Sequence, residues 1–110
     1  MKIIRTKTYL KAVKKLGITA QDEARLFDEL RQTPEKGALV VGGGGIRKIR
    51  LALGNRGKSA GARVIYCAFA FAKMIFLITA YAKSDKENLS QKEINDFKAI
   101  IELIGKELEK

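Results

Sequence analysis

VIYCAFAFAKMIFLITAYA, residues Val64 to Ala82, is the stretch on which the fold turns. It is apolar except for Lys73 and approaches the length of a membrane-spanning helix. As such a helix it would hold Lys73 at the bilayer centre, at a cost of about 2.5–3.5 kcal/mol. Its Val, Ile, Tyr, Phe and Thr residues suit strands instead, and Ala72-Lys73 fits a tight turn between two of them. The pattern predicts a hairpin of Ala62 to Phe71 and Met74 to Tyr81, apolar enough to be buried on both faces.

Upstream of the hairpin, Ile46 to Leu53 alternates. Arg47, Ile49, Leu51 and Leu53 face one way; Ile46, Lys48, Arg50 and Ala52 face the other, so Lys48 and Arg50 project together from one strand face. Gly54 to Gly61 is a polar, Gly-rich loop. Leu39 to Val41 reads as a short strand, and Gly42 to Gly45 as a connection that suits mobility better than a phosphate nest. Lys2 to Arg5 is β-prone. Tyr9, Leu10, Val13 and Leu16 mark a helix from Lys7 that ends at Gly17. Thr19 and Asp22 cap a second helix, with Ala24, Leu26, Phe27 and Leu30 as its apolar stripe and Thr33-Pro34 as its stop. Downstream, Ser90 and Glu93 form a capping box ahead of a helix marked by Ile94, Phe97, Ile101 and Ile104. The order β-α-α-β-β-β-β-α predicts one α+β domain over residues 1–110. Its antiparallel sheet would be packed by two N-terminal helices and one C-terminal helix.

Charge is distributed unevenly. The 110 residues carry a net charge of +10, yet the tail after Ser84 is slightly acidic. From Lys36 to Ser84 there is no Asp or Glu at all, while Arg47, Lys48, Arg50, Arg56, Lys58 and Arg63 crowd into its middle. A one-sign block calls for a partner of opposite sign, either nucleic acid or an anionic membrane face.

Several chemistries are excluded. With no His, the usual general acid–base and the commonest metal ligand are missing. Cys67 is alone, so it makes no intrachain disulfide or Cys-based zinc site, and it reads as a small core residue. No metal or other cofactor is expected. Asp22/Glu23 and Asp28/Glu29 read as solvated helix faces, which argues against a two-carboxylate hydrolase. Ala52 to Ser59 resembles a P-loop, but Ala stands at the first Gly position and a strand, not a helix, follows Ser59. The start, MKIIRTKTYLKAVKKL, lacks the apolar run of a signal peptide, so a reduced, cytoplasmic setting is expected.

One reaction needs only the groups that remain. RNA is cut when its own 2′-OH attacks the adjacent phosphorus, leaving a 2′,3′-cyclic phosphate and a 5′-OH. A protein must align the two oxygens and stabilise charge on the phosphorane. Arg gives bidentate contacts to phosphate, and a lysine crowded by other cations releases its proton more readily. A basic surface that merely holds RNA fits the same residues.

IRKIRLALGNRGKSAGARVIY, IFLITAYAKSDKENLS and the final helix together resemble the RelE/HigB superfamily of toxins from bacterial type II toxin–antitoxin modules, most closely its HigB-like branch. The resemblance runs from about Lys7 to the final helix. It implies a small α+β fold with a concave basic face, and cleavage of mRNA in the ribosomal A site. It also implies a cognate antitoxin, expected to be of helix-turn-helix type, through which alone the toxin would meet operator DNA; no membrane partner is implied. Matched position by position, Lys48 and Arg50 fall on the paired basic residues of the active-site strand. Arg63 matches the arginine that holds the scissile phosphate, and Lys83 and Lys86 match the basic residues after the last strand. Catalysis is thus expected of Lys48, Arg50, Arg63 and Lys83. RNA binding is expected of Arg47, Arg56, Lys58, Lys86 and Tyr81, the last by stacking on a base. RelE proper has a further Arg and a C-terminal Tyr in the segment occupied here by Ser84 and Ser90, which leaves the general base unassigned. Two other readings stand beside the ribosome-dependent endoribonuclease: a non-catalytic RNA- or ribosome-binding module, and a same-fold toxin that poisons DNA gyrase.

Overall fold

The structure is a computed structural model that describes residues 1–54 and 61–110. The P-loop-like segment, Arg56 and Lys58 therefore lie wholly or partly outside the described residues. The elements run β1 (Lys2–Arg5), α1 (Lys7–Leu16), α2 (Ala20–Gln32), β2 (Ala38–Leu39), β3 (Arg47–Leu51), β4 (Ala62–Phe69), β5 (Met74–Ala82) and α3 (Gln91–Leu108). Among the described residues these strands form one sheet in the order β1-β5-β4-β3-β2. The pairs from β5 to β2 are antiparallel, as the alternation predicts. The edge pair is parallel, with Ile3 opposite Ile75. It makes the sheet mixed, and the α1–α2 excursion carries the chain from β1 at this edge to β2 at the other.

The apolar stretch is the hairpin β4–β5, and no helix of the described residues is long and apolar enough to cross a membrane. β4 stops at Phe69, short of Phe71: Ala70–Ala72 form one 3₁₀ turn and Lys73 follows with φ 54°. Phe71 is consequently well exposed.

The two sheet faces carry separate cores. Tyr9, Leu16, Leu26 and Leu30 of α1 and α2 pack on Ile49, Leu51, Val64, Tyr66 and Leu77. On the other face, Phe97 and Ile101 of α3 cover Ile46, Ile65, Cys67, Ile78 and Tyr81. Burial pushes the Cys67 thiol up to about 11, so it stays a protonated core group. A register shift lies between Ile65 and Tyr66, which oppose Thr79 and Leu77 and leave Ile78 as the extra residue. Leu77 and Ala80 both pack under the helix pair, while Ile78 packs under α3. This bulge resets the alternation so that Tyr81 faces α3.

Local chemistry fixes the ends of the helices. Thr19 and Asp22, and Ser90 and Glu93, make both hydrogen bonds of a capping box. The acidic pair on α2 is not the solvated face that its spacing suggested: Asp22 and Glu23 are 2% and 8% exposed. Glu23 accepts from Arg5 Nε and Nη2 at 3.0 and 2.8 Å and from the Tyr9 hydroxyl at 2.8 Å, tying β1, α1 and α2 together. Asp22 accepts from the N–H of Thr19 at 3.0 Å and of Gly54 at 3.1 Å, and from Arg25. It thereby fastens α2 to the segment that leaves β3.

The glycine run is likewise demanded by geometry. Gly42, Gly44 and Gly45 have φ of 74°, 69° and 118°, and a Cβ on Gly43 would stand 2.4 Å from Ile46 Cγ1. The run closes a turn from β2 to β3, held where the Val40 N–H donates to Ile46 O at 3.0 Å.

Candidate functional site

Strand register assembles the basic residues. Lys48 and Arg50 alternate on β3 with the buried Ile49, and Arg50 stands directly opposite Arg63 on β4. Arg63 in turn stands opposite Tyr81 on β5. These residues share the sheet face that α3 covers farther along, at Ile65, Cys67 and Phe69. Lys83 follows β5 directly, and its N–H donates to Gly61 O at 3.3 Å. Among the described residues, none of Lys48, Arg50, Arg63 or Lys83 pairs with a carboxylate. Like charges directly opposite across a sheet are destabilising. The Arg50–Arg63 pair therefore sets two like charges side by side by backbone register, with no carboxylate to neutralise them among the described residues.

Other expected binding residues are differently placed. Arg47 lies on the opposite face of β3, where its Nη1 donates to the carbonyls of Glu35 at 3.0 Å and Gly37 at 2.8 Å. Lys86 pairs with Glu93 and lies 5.1 Å from the centre of the Tyr81 ring, so its charge is already engaged. Lys86 and the Ser90 N–H hold the Glu93 carboxyl below its ordinary range. Tyr81 is only 6% exposed. Burial raises its phenol pKa against the opposing pull of Arg63, which keeps it neutral.

Beside Lys48 lies a groove of about 320 Å³ between β2 and the start of α3, lined by Ala38–Val41, Lys48, Tyr81, Asn88, Leu89 and Ile94. Lys48 Nζ donates across it to Asn88 Oδ1 at 3.1 Å. Asn88 carries no signal of its own in the sequence, being one polar residue in a polar connection. Its position is visible only once β5 and α3 are folded beside β3. Among the described residues, no three Cys, Asp or Glu side chains gather as a metal site.

The mixed sheet, the helix pair on one face and the cationic register on the other accompany a match over nearly the whole chain. The family model of the RelE toxin of RelE/RelB toxin–antitoxin systems matches residues 1–109. The chain belongs to the RelE toxin family. Membership makes this protein the toxin of a toxin–antitoxin pair and implies a RelB-like antitoxin as its partner. In this RelE-family toxin the cations that matched the family motif on β3 and β4, Lys48, Arg50 and Arg63, converge on one face. Asn88, which carried no signal, holds Lys48, and Glu93, legible only as a helix cap, holds Lys86.

Proposed function

We propose that this RelE-family toxin is a ribosome-dependent mRNA endonuclease of the cytoplasm, working by attack of the 2′-OH on the scissile phosphate. The observation that carries this reading is the cross-strand Arg50–Arg63 pair, flanked by Lys48 and without a carboxylate partner among the described residues. Arg63 grips the non-bridging oxygens of the phosphate. Arg50 stabilises the added charge of the phosphorane, and Lys48 or Lys83 would donate to the departing oxygen. The 2′-oxygen forms its bond to phosphorus as the bond to the 5′-oxygen breaks. The 2′-OH proton passes to solvent water and the 5′-oxygen takes one from the donating lysine, giving a 2′,3′-cyclic phosphate and a 5′-OH. The ribosome would present the mRNA, and an antitoxin with a helix-turn-helix module would restrain the toxin and carry it to operator DNA.

One observation favours the second reading, a ribosome-binding protein without catalysis: Tyr81 is buried and its hydroxyl is turned to the Glu87 carbonyl at 3.5 Å, away from a 2′-OH. Expression without antitoxin separates the two. Growth arrest with 5′-OH ends inside translated mRNA is the expected result, and arrest with intact transcripts overturns the nuclease reading. Arg63→Ala should stay folded and cut about 10²–10³-fold more slowly, the usual loss for one transition-state donor.

A further inference from the structure

We propose that the groove beside Lys48 is a nucleobase pocket in which Asn88 selects the base next to the cleaved phosphate. It rests on the RNA-cleavage reading for the identity of its ligand. Three features of the groove argue for a base.

The first is continuity with the arginine pair. Lys48 lines the groove and shares its sheet face with Arg50 and Arg63, so a phosphate held by the arginines leaves an adjoining base beside the opening. The second is its lining. Leu39 and Val41 are 60% and 92% exposed at the lip, and Leu89 and Tyr81 supply further apolar wall. Unpaired bases are recognised in this way, their faces against flat or apolar surface and their edges by hydrogen bonds. The third is the chemistry of the polar end. A lysine only donates, so the amide oxygen of Asn88 must be the atom facing Lys48, as the 3.1 Å bond has it. The Asn88 NH2 is then left to donate, and it fits a base edge that presents a carbonyl: guanine or uracil ahead of adenine. A peptide fits less well, since β2 offers only the two residues Ala38–Leu39 as an edge for strand addition.

Binding and cutting are read separately. The full chain, labelled for NMR, is titrated with 2′-deoxy dinucleotides that cannot be cleaved by their own 2′-oxygen. The amides of Leu39, Val41, Asn88 and Leu89 should shift, with guanine or uracil binding about three- to tenfold tighter than adenine, the discrimination of one neutral hydrogen bond. Asn88→Ala should level that order, and Asn88→Asp, which only accepts, should abolish the preference for uracil, the one base whose edge carries no amino group. Cleavage maps in translated mRNA should follow the same order for each variant. Shifts confined to β3 and β4, an order unchanged by either substitution, or groove shifts that appear only with an antitoxin would overturn the pocket. Base-selective shifts without any cleavage would instead overturn the nuclease reading and leave the pocket standing.

Discussion

At the level of single residues, two charges show how function and stability divide. Arg50 opposite Arg63 repels in the free protein. Arg50→Gln should therefore raise the unfolding free energy by about 0.2–1 kcal/mol while it lowers cleavage, and the gain should shrink with added salt. Urea denaturation at two ionic strengths measures it. Asp22 works the other way. Burial would raise its pKa, but the N–H groups of Thr19 and Gly54, the Thr19 hydroxyl and Arg25 together hold it below 3.8. A depressed folded pKa gives stability that is complete above the unfolded value and is lost as the pH falls through the folded one. Asp22→Asn should cost about 1–3 kcal/mol at neutral pH, and the gap from the parent should close below 3.8. Unfolding curves across that range test the sign. Neither Asp22 nor Glu23 was legible as a buried group from sequence. Adjacent acids near a helix start look alike whether they meet water or partners supplied by residues far along the chain.

At the level of elements, local rules were enough wherever the determinant was local. Both capping boxes, the end of α1 at Gly17 and the outward pair Lys48 and Arg50 follow from short patterns. The turn of the hairpin shows the limit. Lys73 takes φ 54°, a conformation that costs an ordinary residue about 1–2 kcal/mol. Lys73→Gly should leave the melting temperature equal or higher, and Lys73→Ile should lower it. The glycine run is stricter. Gly43→Ala drives a methyl group against Ile46, which is fully buried, and should cost about 1–3 kcal/mol by thermal or chemical unfolding. Composition alone reads that run as a linker, because a steric need is invisible until Ile46 has been placed.

For the whole molecule, the basic surface sets how binding responds to salt. If Lys48, Arg50, Arg63 and Lys83 each meet one phosphate, affinity for a single strand should fall with a logarithmic slope near −3, and each alanine substitution should flatten it by about 0.7. Anisotropy with a non-cleavable 2′-deoxy strand gives the slope directly. The acid-free block announced such a surface. Alternation already set Arg47 on the face opposite Lys48 and Arg50, but the charge pattern did not reveal its bonds to the carbonyls of Glu35 and Gly37 or the pairing of Lys86 with Glu93. The order of the sheet was also hidden, because nothing in Lys2–Arg5 indicates which strand it will join.

That edge pairing has a consequence for synthesis. Ile3 waits for Ile75, and at about 5–20 residues per second the ribosome takes roughly 4–14 s to supply the partner. The hydroxyl proton of Thr6, which it donates to the carbonyls of Leu77 and Ile78, waits equally long for its acceptors. A nascent chain released before β5 is complete has no edge for β1 to join and lacks the wall that Tyr81 supplies. Translation of this toxin must pass the end of β5 before the product has the sheet of a toxin.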